Sequence, residues 1–254
     1  MSMEPIGWEQ AEDSFLAPSL AAGDATGWFD KLYTVGAEGR VTMPWSRTEP
    51  HPLLVQWAQR TGQTGAGRTA VVIGCALGAD AEFVAGLGFT TTAFDVSPTA
   101  IQLARERHPR TAVRCVTVDL LHVPAAWQRA FDLVVEIITL QALPPELHPR
   151  AASAVRELVA GSGTLLVIGA LPDESAVSPP WALTRAEIEG LASGGLDTVA
   201  VETMAMPVNQ QNRAGELNTV AAEVSQQSSP SAVQPGRNPR TPIRLCRDRI
   251  RAIV

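Results

Sequence analysis

The amino-acid sequence predicts an α/β protein whose mostly parallel sheet is doubly wound, with helices on both faces in a three-layer α/β/α arrangement. Two observations predict this fold class. Short apolar runs rich in valine alternate with helical patterns through the middle of the chain, and this order is typical of right-handed parallel crossovers. The segment VVIGCALGADAEF, from Val71 to Phe83, also joins a buried strand to a helix through a glycine turn.

Five strands are predicted in the central part of the chain, because each run is short, apolar and rich in β-branched residues. The runs are Thr69–Cys75, Phe89–Val96, Thr111–Asp119, Ala130–Ile138 and Thr164–Ala170. The fourth run is apolar enough to be buried on both faces, as strands of a parallel sheet are. A sixth strand is predicted at Asp197–Met204.

Helices are predicted between these strands from apolar spacing and from residues that start or stop helices. Ala79–Leu87 follows the glycine turn, and Gly86 with Gly88 ends it. The predicted helix starts are Ser97 with Pro98, Pro144 with Pro145, and Thr184 with Glu187, the last pair forming a capping box. Gly161–Gly163 is predicted to be the turn before the fifth strand.

Residues 1–65 are predicted to form an aromatic-rich, helical N-terminal cap on a core of residues 66–208. This segment contains Trp28, the single tyrosine Tyr33 and Trp45, followed by an expected helix over residues 52–60. The aromatic residues are either ordinary packing against the sheet or a lid over a cleft. The sequence leaves both possibilities open.

Residues 209–254 are predicted to be a polar, disordered tail. The part from Asn209 to Arg240 has almost no large apolar residue, so it cannot bury enough surface to offset the entropy of the chain. Its amides are therefore expected to exchange at once. The basic segment Thr241–Val254 is a loose strand, a short helix or neither.

The composition limits the classes of function. The chain has 254 residues, 45% of them hydrophobic, and a formal charge of -6, which suits one globular domain and disfavours a nucleic-acid partner. Its three cysteines are scattered without metal-ligand spacing, so no metal site and a reducing, cytoplasmic location are expected. No secretory signal pattern and no membrane-spanning apolar stretch are expected either.

Acidic residues follow three of the predicted strands. Asp95, Asp119 and Glu136 come at the strand ends, and Gly74–Gly78 forms the turn after the first strand. Because ligands of doubly wound sheets bind at the carboxyl ends of the strands, these residues are expected to share one polar cleft.

The glycine spacing distinguishes between two classes of cofactor. Nicotinamide cofactors require G-x-G-x-x-G for the approach of a pyrophosphate, but Gly74 and Gly78 are separated by three other residues. The turn therefore favours S-adenosylmethionine, which has no phosphate, over a nicotinamide oxidoreductase. Asp95 would accept both ribose hydroxyls, and Asp119 would face the adenine edge with Leu120 beside the ring.

Six sequence blocks match a known enzyme family in the same order. They are Met43–Trp45, Gly74–Gly88, Phe94–Pro109, Phe131–Pro145, Leu158–Ile168 and Pro179–Ile188. In these blocks the chain resembles class I S-adenosylmethionine-dependent methyltransferases, nearest to the bacterial thiopurine/tellurite methyltransferase-like group. The resemblance covers roughly Trp28 to Met204. It implies a Rossmann-like methyltransferase fold and transfer of a methyl group to a small-molecule nucleophile, through sulfur, oxygen or nitrogen, with a thiol favoured.

The resemblance implies a role for Trp45, and the end of the fourth strand indicates roles for Glu136, Thr139 and Gln141. Trp45 would pack over the cofactor, while Glu136 would contact the methionine ammonium, orient the substrate or accept a proton. Thr139 and Gln141 would line the substrate mouth. The predicted cofactor-binding residues are Trp45, Gly74, Cys75, Gly78, Asp95, Val96, Asp119, Leu120 and Glu136, and Glu136 is also the predicted catalytic residue.

The chain departs from the family pattern at three places. Val72 replaces an acid, and Ala76 replaces a glycine whose positive φ would cost alanine about 1 kcal/mol. The last antiparallel strand of the family is either missing or supplied by Pro242 to Arg247. The alternative function is therefore a binding protein with a methyltransferase fold that has lost catalysis. The sequence indicates neither the methyl acceptor nor the oligomeric state.

Overall fold

A computed structural model of the chain describes residues 6–43, 45–170, 180–193, 196–206 and 217–226. The helices are α1 (Trp8–Ala21), α2 (Gly27–Ala37), α3 (Pro52–Thr61), α4 (Ala79–Gly86), α5 (Pro98–Arg107), α6 (His148–Leu158) and α7 (Arg185–Gly190). The strands are β1 (Ile6–Gly7), β2 (Val41–Thr42), β3 (Thr69–Ile73), β4 (Thr90–Asp95), β5 (Arg114–Thr117), β6 (Phe131–Ile137), β7 (Val159–Ala170), β8 (Leu196–Met206) and β9 (Leu217–Gln226).

The main sheet has seven strands in the order β5-β4-β3-β6-β7-β9-β8. The strands from β5 to β7 are parallel, and β9 pairs antiparallel with both β7 and β8. The chain moves outward from β3 through β4 to β5 and then returns to β6 on the other side of β3. This reversal leaves a crevice at the carboxyl ends of β3 and β6, which is where sheets of this kind bind ligands.

Alternate residues of the central strands enter two separate hydrophobic cores. In β3, Val71 and Ile73 face one core, which α6 and α7 cover, whereas Ala70 and Val72 face the other, which α3, α4 and α5 cover. This period of two is what a strand buried on both faces requires. The predicted doubly wound, three-layer α/β/α fold is confirmed.

Two predicted helix starts are confirmed, and one is wrong. The Ser97 hydroxyl accepts the Ala100 N–H at 3.0 Å, and Thr184 forms the capping box with Glu187. The helix expected at Pro144 and Pro145 begins only at His148, after a single 3-10 turn. Pro144 has an extended ψ of 142° because the ring of the following proline excludes the helical conformation.

The turn predicted at Gly161–Gly163 is part of β7 instead. The register against β6 shifts there, from Val159 opposite Phe131 to Thr164 opposite Leu133. A Cβ on Gly163 would lie 2.8 Å from the Phe131 carbonyl oxygen, so glycine permits this close approach of two backbones. The glycines therefore mark an irregular strand rather than its beginning.

The prediction of a disordered tail is wrong for Leu217–Gln226, which forms β9 and fills the gap between β7 and β8. β9 is also the last antiparallel strand that was expected to be missing or to come from Pro242 to Arg247, a segment outside the described residues. The sheet extends beyond residue 208 for this reason. The domain boundaries at residues 65 and 208 otherwise stay predictions.

The helices α1 and α2 precede the core and were not predicted individually. They enclose a small apolar cluster in which Trp28 is buried and stacks on Phe29, with ring centroids 3.9 Å apart. The expected helix over residues 52–60 is confirmed as α3. Among the helices described, none has both the length and the apolarity needed to cross a bilayer.

Hydrogen exchange tests the position of β9. Amides of Leu217–Gln226 are expected to exchange as slowly as those of Leu165–Ile168 in β7, because ladder bonds to two neighbours protect them. Exchange resolved by mass spectrometry or NMR would measure this. Immediate exchange of the β9 amides, with β7 protected, would show that this strand is not part of the folded sheet.

Candidate active site

The glycine turn after β3 is a compact loop that begins α4. Cys75 donates its backbone N–H to the Phe94 carbonyl at 2.9 Å, and Gly78 donates to the Cys75 carbonyl at 2.9 Å. Gly74 and Gly78 have positive φ angles of 57° and 92°, which glycine adopts without steric cost. The Cys75 side chain is buried in the core, so this residue belongs to the turn through its backbone.

Ala76 lies between the two glycines and has a positive φ of 47°. The strain expected for alanine at this position is therefore present. A residue with a Cβ costs roughly 1–2 kcal/mol in the left-handed region, because the Cβ approaches a carbonyl oxygen. The Asp95 carboxylate holds the conformation, since its Oδ2 accepts the Ala76 N–H at 3.0 Å.

Asp95 ends β4 and connects the turn to the start of α5. Its Oδ1 accepts the Ser97 N–H at 3.0 Å, and the residue is only 6% exposed. Burial raises the pKa of the Asp95 carboxyl to about 6, although N–H donors from Ser97, Ala76 and Val96 oppose the rise. A carboxylate has about four acceptor sites, so these backbone donors leave capacity for a further donor.

The loop after β6 contacts the glycine turn directly. Thr139 donates its hydroxyl to the Ile73 carbonyl at 3.2 Å. A Cβ on Gly74 would lie 2.2 Å from Thr139 Oγ1, so the close approach of the two loops requires glycine here. The two loops thus meet across the crevice where the strand order reverses.

Glu136 lies beneath this loop, opposite Ile73 in the register of β6 and β3. It is 1% exposed, and its Oε1 accepts the Leu140 N–H at 2.9 Å. Burial raises the pKa of the Glu136 carboxyl to about 7 against the opposing N–H groups of Leu140 and Thr139. A buried acid that titrates near neutral pH, at the carboxyl end of a central strand, is characteristic of functional sites.

Asp119 follows β5 and is engaged by its own loop. Its Oδ1 accepts the Leu121 N–H at 2.8 Å, and its Oδ2 lies 2.8 Å from His122 Nδ1. Arg150, which has only donors, lies 3.0 Å from His122 Nε2, so this nitrogen accepts and Nδ1 carries the proton. Leu120 is buried in the core between these groups.

The N-terminal aromatic residues pack against the glycine turn. Tyr33 and Met43 form a cluster with Leu77 and Ala100, and Trp45 packs on it. The Trp45 ring lies edge-on to Tyr33, with centroids 6.1 Å apart. Burial, followed by the nearby Asp95 carboxylate, raises the pKa of Tyr33 well above its ordinary value. These contacts support the packing alternative for the aromatic cap.

Asp30 of α2 connects the cap to α5, a role for which the sequence carries no signal. Its Oδ1 accepts the Ser97 hydroxyl at 2.6 Å and the Thr99 N–H at 3.0 Å. Burial alone would raise the pKa of the Asp30 carboxyl, but the Ser97 and Thr99 donors outweigh burial and lower it. Ser97, predicted only as a helix cap, therefore also links the cap to the turn.

The other wall of the crevice is held by His148 and Gln141. Trp181 donates its backbone N–H to the backbone carbonyl of the buried Gln141 at 2.7 Å. His148 Nε2 lies 2.9 Å from the Leu143 carbonyl oxygen, and Nδ1 lies 2.9 Å from Glu187 Oε1. Both ring nitrogens therefore have a partner, which fixes the ring between the loop after β6 and α7.

The structure brings most of the predicted site residues to one edge of the sheet. The glycine turn, Asp95 and Val96 are directly connected, and Val118, next to Asp119, donates its N–H to the Asp95 carbonyl at 3.0 Å. Trp45 reaches the turn through the aromatic cluster, and Glu136 through the Thr139 loop. Among the described residues, no group of three or more metal-ligating side chains is found.

Replacing Ala76 by glycine tests the strain in the turn. Ala76→Gly is expected to raise the free energy of unfolding by about 1 kcal/mol, because glycine has no Cβ that would crowd the backbone at this positive φ. Urea unfolding measures this. The matched control is Ala85→Gly inside α4, which should lower stability by about the same amount. Equal destabilisation by both changes would contradict strain at Ala76.

Replacing Glu136 by glutamine tests its ionisation. A folded-state pKa raised from 4.5 to about 7 gives stability that is fully present below pH 4.5 and lost as the pH rises through 7. Between pH 5 and 8, the free energy of unfolding of Glu136→Gln should therefore fall by on the order of 2–3 kcal/mol less than that of the unmodified protein. Urea unfolding at several pH values measures this. Glu157→Gln, at an exposed position of α6, is the matched control. An unchanged slope for Glu136→Gln would refute the shift.

Comparison with solved structures places this arrangement in a known fold. The chain superimposes with a TM-score of 0.62 and 18% identity on a protein solved for the conversion of a disulfide bond into a thioacetal group during echinomycin biosynthesis, covering 81% of this chain and 94% of that one. The N-methyltransferase NodS from Bradyrhizobium japonicum WM9 superimposes with a TM-score of 0.55 and 21% identity, covering 69% of this chain and 93% of that one. A third match is magnesium protoporphyrin IX methyltransferase from Synechocystis PCC 6803 with bound S-adenosylmethionine. Its TM-score is 0.54 and its identity 15%, covering 69% of this chain and 77% of that one.

A family match covers most of the chain. No curated protein matches significantly. The family model described as Thiopurine S-methyltransferase (TPMT), however, matches residues 37–228, a span that includes the glycine turn, Asp95, Asp119, Glu136 and β9. The chain therefore belongs to the thiopurine S-methyltransferase family, and it is an S-adenosylmethionine-dependent methyltransferase of class I.

Proposed function

We propose that this enzyme transfers the methyl group of S-adenosylmethionine to a small-molecule nucleophile, with a thiol favoured over oxygen and nitrogen acceptors. One observation carries the proposal. The loops after β3, β4 and β6 meet at the reversal of strand order, where the turn around Ala76, the Asp95 carboxylate and the Thr139 loop are bonded together.

The residues present fit the cofactor. Asp95 is buried beside the turn, and the acceptor capacity that its N–H donors leave would be used by the ribose. Gly74 and Gly78 give the turn its positive φ angles, and the backbone of this turn would face the methionine part. Trp45 lies against the turn, where an aromatic face would stabilise a sulfonium cation. Asp119 is engaged by Leu121 and His122, so its contact with the adenine edge would use its remaining acceptor capacity.

The role proposed for Glu136 is to position the loop that faces the methyl group. Its carboxyl is buried and accepts the Leu140 N–H, so it holds Ile138 and Thr139 in place rather than meeting the substrate across open space. A cation nearby, such as the methionine ammonium, would favour the ionised form. Glu136 would then both contact the cofactor and position the loop on the side of the methyl acceptor.

The reaction needs orientation more than acid–base chemistry. When bound, the sulfonium of S-adenosylmethionine supplies a methyl carbon already activated for displacement. The chain's own residues keep the nucleophile in line and exclude water, since the crevice walls are tied by Thr139 and by the Trp181–Gln141 bond. A thiolate enters without a proton to remove, which is why a general base is not required.

The acidic charge of -6 supports a small-molecule acceptor rather than a nucleic acid, because phosphate contacts need a basic surface. Cys75 and Cys115 are buried free thiols, and this supports the proposed reducing, cytoplasmic location.

Titration calorimetry with S-adenosylmethionine, its demethylated product and NADH tests the proposal. The first two should bind, and NADH should give no heat of binding. Asp95→Asn should weaken S-adenosylmethionine binding at least tenfold, because one carboxylate oxygen becomes an amide that cannot accept from a hydroxyl.

The matched control is Asp132→Asn. Asp132 also accepts a backbone N–H, that of Thr69 at 2.8 Å, but it lies at the opposite end of the strands. Asp132→Asn should change cofactor affinity by no more than about twofold, because distant sites usually act independently. If Asp95→Asn binds as tightly as the control variant, the ribose site is wrongly assigned.

A further inference from the structure

The loop after β5 holds Asp119 on a single short turn. Asp119 is the cap of one 3-10 turn over Leu120–His122, in which the His122 N–H donates to the Asp119 carbonyl at 2.9 Å. Of the three residues in this turn, Leu120 is the buried one. So short a turn has few backbone hydrogen bonds of its own, and the direction of the Asp119 carboxylate therefore depends on side-chain contacts.

Arg150 and His122 supply these contacts as a chain of donors. The Arg150 guanidinium on α6 donates from Nη2 to His122 Nε2 and to the Leu121 carbonyl, both at 3.0 Å. Because Nε2 accepts, the proton of the neutral ring is on Nδ1, which donates to Asp119 Oδ2 at 2.8 Å. The hydrogen bonds therefore run in one direction, from α6 through the imidazole ring to the carboxylate.

Stability alone does not account for this chain of donors. The His122 side chain is 69% exposed and that of Asp119 is 30% exposed, so their contact is screened by water and contributes little to folding. What the contact does fix is orientation. One carboxylate oxygen accepts the Leu121 N–H and the other accepts from His122, so both oxygens of Asp119 are held by the loop.

We propose that His122 is a positioning residue for recognition of the cofactor's base, and that Arg150 sets its tautomer. This inference rests on the proposed function, in which Asp119 faces the adenine edge. A carboxylate held at both oxygens presents its remaining acceptor sites in a fixed direction. The exocyclic amine of adenine donates to such a site, whereas the carbonyl oxygen of hypoxanthine, at the same position of the ring, is itself an acceptor. His122 and Arg150 therefore increase the preference for adenine.

Calorimetric titration with S-adenosylhomocysteine and S-inosylhomocysteine tests this inference, because the two ligands differ only at the amino edge of the base. The unmodified protein should bind the adenosyl ligand more tightly. His122→Ala should lower the ratio of the two affinities by about three- to tenfold, which is what one hydrogen bond contributes. Arg150→Met should lower the ratio less, because the ring stays but its tautomer is no longer set. The matched control is Arg110→Met, at an exposed position after α5.

Two further variants separate the hydrogen-bond donor from the bulk of the ring. In asparagine the side-chain nitrogen is bonded to Cγ, as Nδ1 of histidine is, so His122→Asn keeps a donor for Asp119 and should retain most of the preference. In glutamine the amide group lies one bond further out, near the place of Nε2, so His122→Gln keeps a partner for Arg150 and should behave as His122→Ala. Melting temperatures should stay within about 2 °C, because the His122 side chain is exposed.

The same titrations distinguish the two kinds of failure. If the unmodified protein does not bind S-adenosylhomocysteine, the proposed function fails and this inference fails with it. If it binds both ligands equally well, the cofactor assignment stands and the role of His122 is overturned. An affinity ratio that does not change in His122→Ala, or a loss that glutamine restores and asparagine does not, would also overturn that role.

Discussion

The Asp95 carboxylate joins the central sheet to the segments around the cofactor turn. One oxygen holds Ala76 in its strained conformation, and the other accepts the N–H of Ser97, whose hydroxyl is bonded to Asp30 of the N-terminal cap. Two carboxylates are thus placed within one short network, and their repulsion adds to the burial that raises the pKa of Asp95. The turn, α5 and the aromatic cap therefore take their relative positions from one buried side chain.

A second constraint operates on the other side of the crevice. Glu136 and Thr139 fix the loop after β6, and the Trp181 and His148 bonds attach α7 and its preceding segment to it. These interactions are polar and buried or partly buried, so each requires good geometry to compensate for lost hydration. The site consequently consists of two rigid walls, one organised by Asp95 and one by Glu136, that touch where Thr139 meets Gly74.

The sequence was sufficient for the parts of the fold that local chemistry determines. Strong apolar runs predicted the central strands, and Ser97 and Thr184 predicted two helix starts. Leu217–Gln226 was missed although Val220, Ala222 and Val224 alternate, because the polar residues around this segment dominated its average composition. Its stability comes from β7 and β8, which are distant in sequence, and such pairing has no local signal.

The site could be predicted only in outline. Asp95 and the glycine turn follow from the order of strand, turn and helix, and the strain at Ala76 followed from comparison with the family pattern. Asp30 and Tyr33 reach the turn through tertiary packing, which spacing along the chain does not encode. Ile138, in the loop after β6, has a positive φ of 63° that runs against its own propensity, so no rule based on residue preference would select it.

The position of β9 has a consequence for synthesis of the protein. Among the described strands, β8 pairs with β9 alone, and β9 inserts between two strands that leave the ribosome before it. Until residue 226 has emerged, β7 is an open edge of the sheet and β8 has no partner. Nascent chains of this enzyme therefore expose strand edges until β9 has emerged, and pairing with another chain is the competing reaction during that time.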